Sequence, residues 1–134
     1  MTEPRIELVR RLFEAFGARD AEAMRSLLDP EIEYVAPDTA KLVGRSGPYI
    51  GVNGMQAYLR DIARVWDEMR AVSLRYQAVE NGVLVEGRIV TRTKAGLLVD
   101  APAQWLVEVA GDKIVRATLF RDQSKARKAA GLES

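Results

Sequence analysis

The chain contains neither cysteine nor histidine. Disulfides are therefore excluded, and so are metal sites built on thiolate or imidazole. The same two absences remove the base of every Ser-His-Asp or Cys-His nucleophilic system. A cation site made of carboxylates alone is left, with no spacing motif behind it. An excess of one charge is missing too. The 20 basic and 19 acidic side chains leave a formal net charge of +1, whereas a nucleic-acid surface needs a clustered basic excess. No stretch approaches the ~20 apolar residues of a membrane span. The opening residues, MTEPRIELVRRLF, hold no apolar signal region. The expectation is a soluble, cytoplasmic protein with no metal or other cofactor and no nucleic-acid or membrane partner.

What is there is ordinary globular material: 134 residues, 48% hydrophobic and 29% charged. A chain of this size buries roughly 65–70% of its unfolded surface, enough for one core without staples. With no repeat, linker or low-complexity tract, residues 1–134 read as a single domain. Thr2 and Pro4 suit a helix start, and Ile6, Val9, Leu12, Phe13 and Phe16 recur on one helical face. Gly17 is placed to end that helix. Asp20 caps a short second helix, and Asp29-Pro30 stops it. EIEYVAP alternates as a strand. A glycine-rich stretch, LVGRSGPYIG, follows, and Asn53 is placed to cap a long helix whose apolar stripe runs from Met55 to Met69. From there the period changes to two. Asn81-Gly82, Ala95-Gly96 and Gly111-Asp112 mark the turns of a four-strand meander. Asp122 caps a terminal helix. Helices first and an antiparallel sheet afterwards mean an α+β fold.

Three segments carry a resemblance: FGARDAEAMRSLLDPEIEYVAP, YIGVNGMQAYLRDIARVWDEMR and GDKIVRATLFRDQSKARKAAGL. In order, over nearly the whole chain, they resemble the SnoaL-like branch of the nuclear transport factor 2-like superfamily. The resemblance implies a cystatin-like cone in which helices cover the concave face of a curved antiparallel sheet, with a pocket between them. Its members include ketosteroid isomerases, limonene-epoxide hydrolases, polyketide cyclases and noncatalytic binders, and many pair through the outer face of the sheet. The fold is implied specifically; the activity is not.

Aligned with the isomerases, the tyrosine position falls on Leu12, the base on Ala36 and the oxyanion aspartate on Gln104. Gln104 still offers a donor. Asp38, two residues beyond Ala36, is the nearest replacement base, although its neighbour Pro37 also suits a plain turn residue. Aligned with the epoxide hydrolases, the arginine is kept as Arg88, while the two aspartates fall on Val90 and Leu119. Arg88 reads either as a pocket cation or, because Val83, Val85 and Ile89 alternate against it, as a solvated charge paired with Glu86. The candidate catalytic set is thus Asp38, Arg88 and Gln104. Phe16, Tyr34, Tyr49, Trp66, Leu106 and Leu119 are candidates for the pocket wall, and Trp66 also fits the helix stripe as core.

With Gln104 and Leu106 taken as inward, alternation puts Trp105, Val107 and Val109, joined by Phe120, on the outer face as the apolar patch of a homodimer. The glycine-rich stretch lacks the phosphate-loop lysine and reads as a flexible approach over the pocket entrance. Two functions follow. One is a pocket for a small, mostly apolar oxygenated organic molecule, with cofactor-free isomerisation, cyclisation or hydration as its chemistry. The other is a noncatalytic ligand-binding or dimeric interaction module.

Overall fold

A computed structural model describes residues 3–132. Helix α1 (Pro4–Gly17) starts at Glu3, whose carboxylate accepts from the Arg5 backbone N–H; the expected cap, Thr2, lies outside the described residues. Gly17 is the last helical residue, not the left-handed one. That conformation falls on Arg19 (φ 53), where the N–H groups of Arg19 and Asp20 close the helix on the Phe16 and Ala15 carbonyls. Asp20 caps α2 (Ala21–Leu27), accepting from the Ala23 N–H at 3.1 Å.

The chain then enters strand β1 (Leu28–Val35), a short helix α3 (Pro37–Leu42) and a two-residue strand β2 (Tyr49–Ile50). Helix α4 (Gly51–Val65) begins two residues before Asn53, with no side-chain cap. It ends four residues short of Met69. Trp66 is already extended and opens strand β3 (Trp66–Val79), because pairing with strand β4 (Gly82–Thr93) outweighs the helical spacing of Trp66 and Met69. Val79 pairs directly with Gly82, so the hairpin turn is Glu80-Asn81. Gly82 serves a different need: a Cβ there would lie 2.0 Å from the Val107 carbonyl oxygen. Strands β5 (Leu98–Ala110) and β6 (Lys113–Phe120) complete the meander, and Asp122 caps α5 (Gln123–Ala129).

The sheet is curved and unclosed, in the order β2-β1-β6-β5-β4-β3, with β1–β6 parallel and every other pair antiparallel. Helices α1, α2 and α4 pack on its inner face. Helix α5 packs on the outer face, where Ala126 and Ala130 bury Val79, Leu84 and Leu106 in a second, smaller core. The fold is the expected α+β cone.

The expected facing of β5 is reversed, while β4 takes the alternative in which Val83, Val85 and Ile89 are buried and Arg88 is a solvated charge, paired with Asp100 and not with Glu86. Val83, Val85, Trp105 and Val107 belong to the main core under the helices, and Val109 packs against it. Gln104 and Leu106 therefore point outward, and Trp105, Val107 and Val109 are not an outer patch. Phe120 does lie outside, beside α5. The reversal has a simple cause. Alternation fixes which residues share a face but not which face looks inward, and α5 puts aliphatic residues on the outer face as well as the inner one. No helix among the described residues is long and apolar enough to cross a membrane.

Candidate functional site

Between α1, α4 and the inner face of the sheet lies a cavity of about 50 Å³. Helix α1 contributes Leu12, Phe13 and Phe16, and the sheet contributes Tyr34, Trp105 and Val107. Three methionines, Met24, Met55 and Met69, come from α2, α4 and β3. Unbranched thioethers re-pack easily, so this wall can adapt to a guest. Adaptation is needed: a benzene ring occupies a cavity of ~150 Å³.

Polar chemistry is sparse in the wall. The hydroxyls of Tyr34, on β1, and Tyr58, on α4, lie 3.5 Å apart, and their rings meet edge to face at 4.7 Å. That separation is the outer limit of a hydrogen bond, so the two phenols hold each other weakly. Burial pushes the Tyr34 phenol up from its ordinary value, against smaller lowering contributions from Tyr58 and Trp105. Burial pushes Tyr58 up further, with the neighbouring Tyr34 adding to the rise. Both stay neutral donors at neutral pH. Among the described residues no carboxylate lines the cavity.

Behind this pair sits a polar anchor. The Tyr49 hydroxyl donates to Asp61 Oδ2 at 2.8 Å, and Arg45 reaches the same oxygen at 3.4 Å. The Arg45 guanidinium also lies 4.3 Å over the Tyr49 ring. Asp61 is only 6% exposed. Burial first, then the Asp61 carboxylate, push the Tyr49 phenol up to about 12. The Tyr49 ring meets Tyr58 at 5.2 Å, so the anchor abuts the cavity wall. The glycine-rich stretch is thereby tied to α4 through Arg45, and none of residues 43–48 lines the cavity.

Of the residues singled out from the sequence, Phe16 and Tyr34 line the cavity. Tyr49 stands behind it. Trp66 packs against the core at the start of β3, and Leu119 sits on the inner face opposite Trp105; neither is a lining residue. Leu106 lies under α5. The structure does not bring the candidate catalytic set together. Asp38 is a surface residue of α3, 54% exposed and bonded to Arg121 at 2.9 Å. Arg88 points outward, with its Nε donating to Asp100 at 2.6 Å. Gln104 is buried on the outer face between Glu86 and Phe120 in the strand register, its Oε1 without a partner among the described residues.

Tyr58, Asp61 and Trp105 were missed as site residues. Asp61 carried a signal: it interrupts the apolar stripe of α4 three residues after Tyr58 and one before Ile62. Trp105 carried none, because taking Gln104 as inward assigns its neighbour to the outer face.

Comparison with known proteins places this geometry. The family model of the SnoaL-like domain matches residues 9–117. The uncharacterized protein Rv0034 of Mycobacterium tuberculosis is 29% identical over 116 residues, 86% of each chain. Among solved structures, TerC, co-crystallized with polyporic acid, is similar at a TM-score of 0.82, with 21% identity over 96% of this chain and 99% of that one. An NTF2-like protein of unknown function from Burkholderia pseudomallei K96243 is similar at 0.81, with 19% identity over 96% of this chain and 98% of that one. At such identities the structural likeness is one of fold.

Proposed function

The chain belongs to the SnoaL-like domain family, and from that premise we propose that its cavity binds a small, mostly apolar molecule carrying a carbonyl or hydroxyl oxygen. One observation carries the reading. Two neutral phenols, Tyr34 and Tyr58, converge on an apolar, methionine-rich cavity with no carboxylate among the described lining residues. Such a wall favours holding an oxygen over moving a proton. The apolar lining supplies affinity and the phenols supply orientation.

Matched ligands test this. p-Cresol and toluene differ by one hydroxyl. Wild type should bind p-cresol more tightly. Tyr34→Phe with Tyr58→Phe should weaken p-cresol by about three- to tenfold, the worth of one neutral hydrogen bond, and leave toluene nearly unchanged. Equal binding of p-cresol by wild type and the double variant would remove the phenols from the site. Polyporic acid, found with TerC, is the next probe. It needs far more room than about 50 Å³, so its binding would require the wall to open.

Cofactor-free proton transfer is the second reading, favoured by the buried Asp61 carboxylate joined to Tyr49 at the back of the cavity. Loss of deuterium from an α-deuterated cyclohexenone, abolished in Asp61→Asn, is its test. A homodimer belongs to the same proposal, now through a different set of outer-face residues: Val90, Leu98 and Pro102, with Phe120 kept. Leu98 is 65% exposed, an apolar side chain of a kind often covered by a partner. Light scattering at micromolar concentration should give a dimer for wild type and a monomer for Leu98→Asp.

A further inference from the structure

We propose that Arg19 is a latch that holds two walls of the cavity together at the C-terminal end of α1, and that its release admits the guest. The inference rests on the cavity reading above.

Conformation is the first observation. Arg19 occupies the left-handed position after α1, with φ 53. Glycine ordinarily sits there, because a Cβ is strained in that region. The Arg19 side chain makes contacts there that a glycine could not.

That side chain spans two walls. Its Nη1 donates to the Phe16 carbonyl at 2.6 Å, and its Nη2 donates to the Met69 carbonyl. The guanidinium carbon lies 4.2 Å over the Phe16 ring. Phe16 and Met69 both line the cavity, one from α1 and the other from β3. One residue therefore ties the helical wall to the sheet wall and also covers a ring of the lining. The Phe16 ring stacks on Tyr58 at 6.1 Å, so displacing it would uncover the phenol meant for the guest.

Size completes the argument. At about 50 Å³ the cavity is too small for an aromatic ring, and some part of the wall must move. Helix α4 is anchored through Asp61 and Tyr49, and the strands are fixed by their ladders. The last turn of α1 is held to β3 by a side chain that is itself at the surface. This is the wall that can part without disturbing the sheet.

Arg19→Gly isolates the latch, because glycine favours the left-handed turn while removing the strap. Trp105 reports the result. It lines the cavity at 5% exposure, and in a Trp66→Phe background it is the single tryptophan. Acrylamide quenching of Trp105 should rise about threefold or more in Arg19→Gly, as expected when charge-assisted bonds holding a local opening are lost. Amide exchange should accelerate in the last turn of α1 and stay unchanged in β4 and β5. Arg19→Lys keeps the charge but cannot fork onto two carbonyls, and should follow the glycine variant. Unchanged quenching in Arg19→Gly, a lysine variant identical to wild type, or exchange that accelerates equally in α1, β4 and β5 would each overturn the latch. The readout needs no guest. The latch can therefore fail while wild type still binds p-cresol, and p-cresol binding can fail while the latch holds.

Discussion

The two faces of the sheet are made by the same strands and differ in almost everything else. On the inner face, Val83 and Val85 of β4 meet Val107 and Trp105 of β5, and beyond them lie helices. One residue along, Leu84, Glu86 and Arg88 meet Leu106, Gln104 and Pro102 on the outer face. The inner face holds an apolar cavity with two phenols. The outer face holds an aliphatic strip under α5, a surface ion pair between Arg88 and Asp100, and an amide oxygen on Gln104 with no partner among the described residues. Polarity follows from what covers each face. Three helices exclude water from one side, so charges there would be unpaired and costly. A single short helix covers only part of the other, and charges beyond its edge stay hydrated. The lesson for function is that a residue type matters less than its parity. The arginine that matched a catalytic position is one residue away from the face where it could act.

Substitutions can break this contrast, the largest effect first. Trp105→Ala, inside, should lower stability by about 3–5 kcal/mol, as aromatic truncations in a core do. Arg88→Met, outside, should change it by less than about 1 kcal/mol, since the ion pair is exposed. Urea unfolding of the two variants checks both values, and similar losses would mean that the faces are misassigned. Gly82→Ala comes next. Its Cβ would be forced against the Val107 carbonyl, so a loss of about 1–3 kcal/mol is expected from overpacking.

Alkaline pH sharpens the inner face. Unfolded tyrosine releases its proton near 10, whereas folded Tyr49 holds it to about 12. Above pH 10 the unfolded chain therefore binds fewer protons than the folded one, and stability falls as pH rises toward 12. Tyr34 and Tyr58 shift in the same direction. Urea midpoints from pH 9 to 11 should show this decline, and Tyr49→Phe should flatten it. A steeper decline in the variant would contradict the sign. The smallest effect belongs to Gln104→Met on the outer face. Replacing a buried amide whose oxygen has no partner among the described residues by a side chain of similar length should be neutral or stabilise by up to about 1 kcal/mol. Calorimetry on the purified protein reads it directly.

Much of the fold was legible. Asp20 and Asp122 cap the helices they were expected to cap, and the change of period after α4 marks the sheet. The misses were local contests won by tertiary partners. Trp66 and Met69 fit a helix by spacing but pair with Thr93 and Thr91 of β4. Gly82 reads as a turn residue and serves instead as the gap through which β5 approaches. Gly17 reads as the helix stop, while Arg19 takes the strained position. The site was less legible than the fold. Two of the candidates, Phe16 and Tyr34, line the cavity, but the wall joins residues from α1, α2, α4 and four strands, and no local spacing links them.

By itself, the sequence determined that histidine and cysteine chemistry is absent, that helices precede a meander, and that β4 and β5 each carry two faces of different composition. Those are consequences of residue type and of period, which are local. Which face of β4 and β5 looks inward was decided only by the tertiary structure. Alternation has period two, so it reads the same after a slip of one residue, and α5 puts Leu84 and Leu106 on the outer side to make both faces partly apolar. The packing of α1 and α4 against one side broke that symmetry. It brought Tyr34, Tyr58 and Trp105 to one cavity and left Asp38, Arg88 and Gln104 outside it.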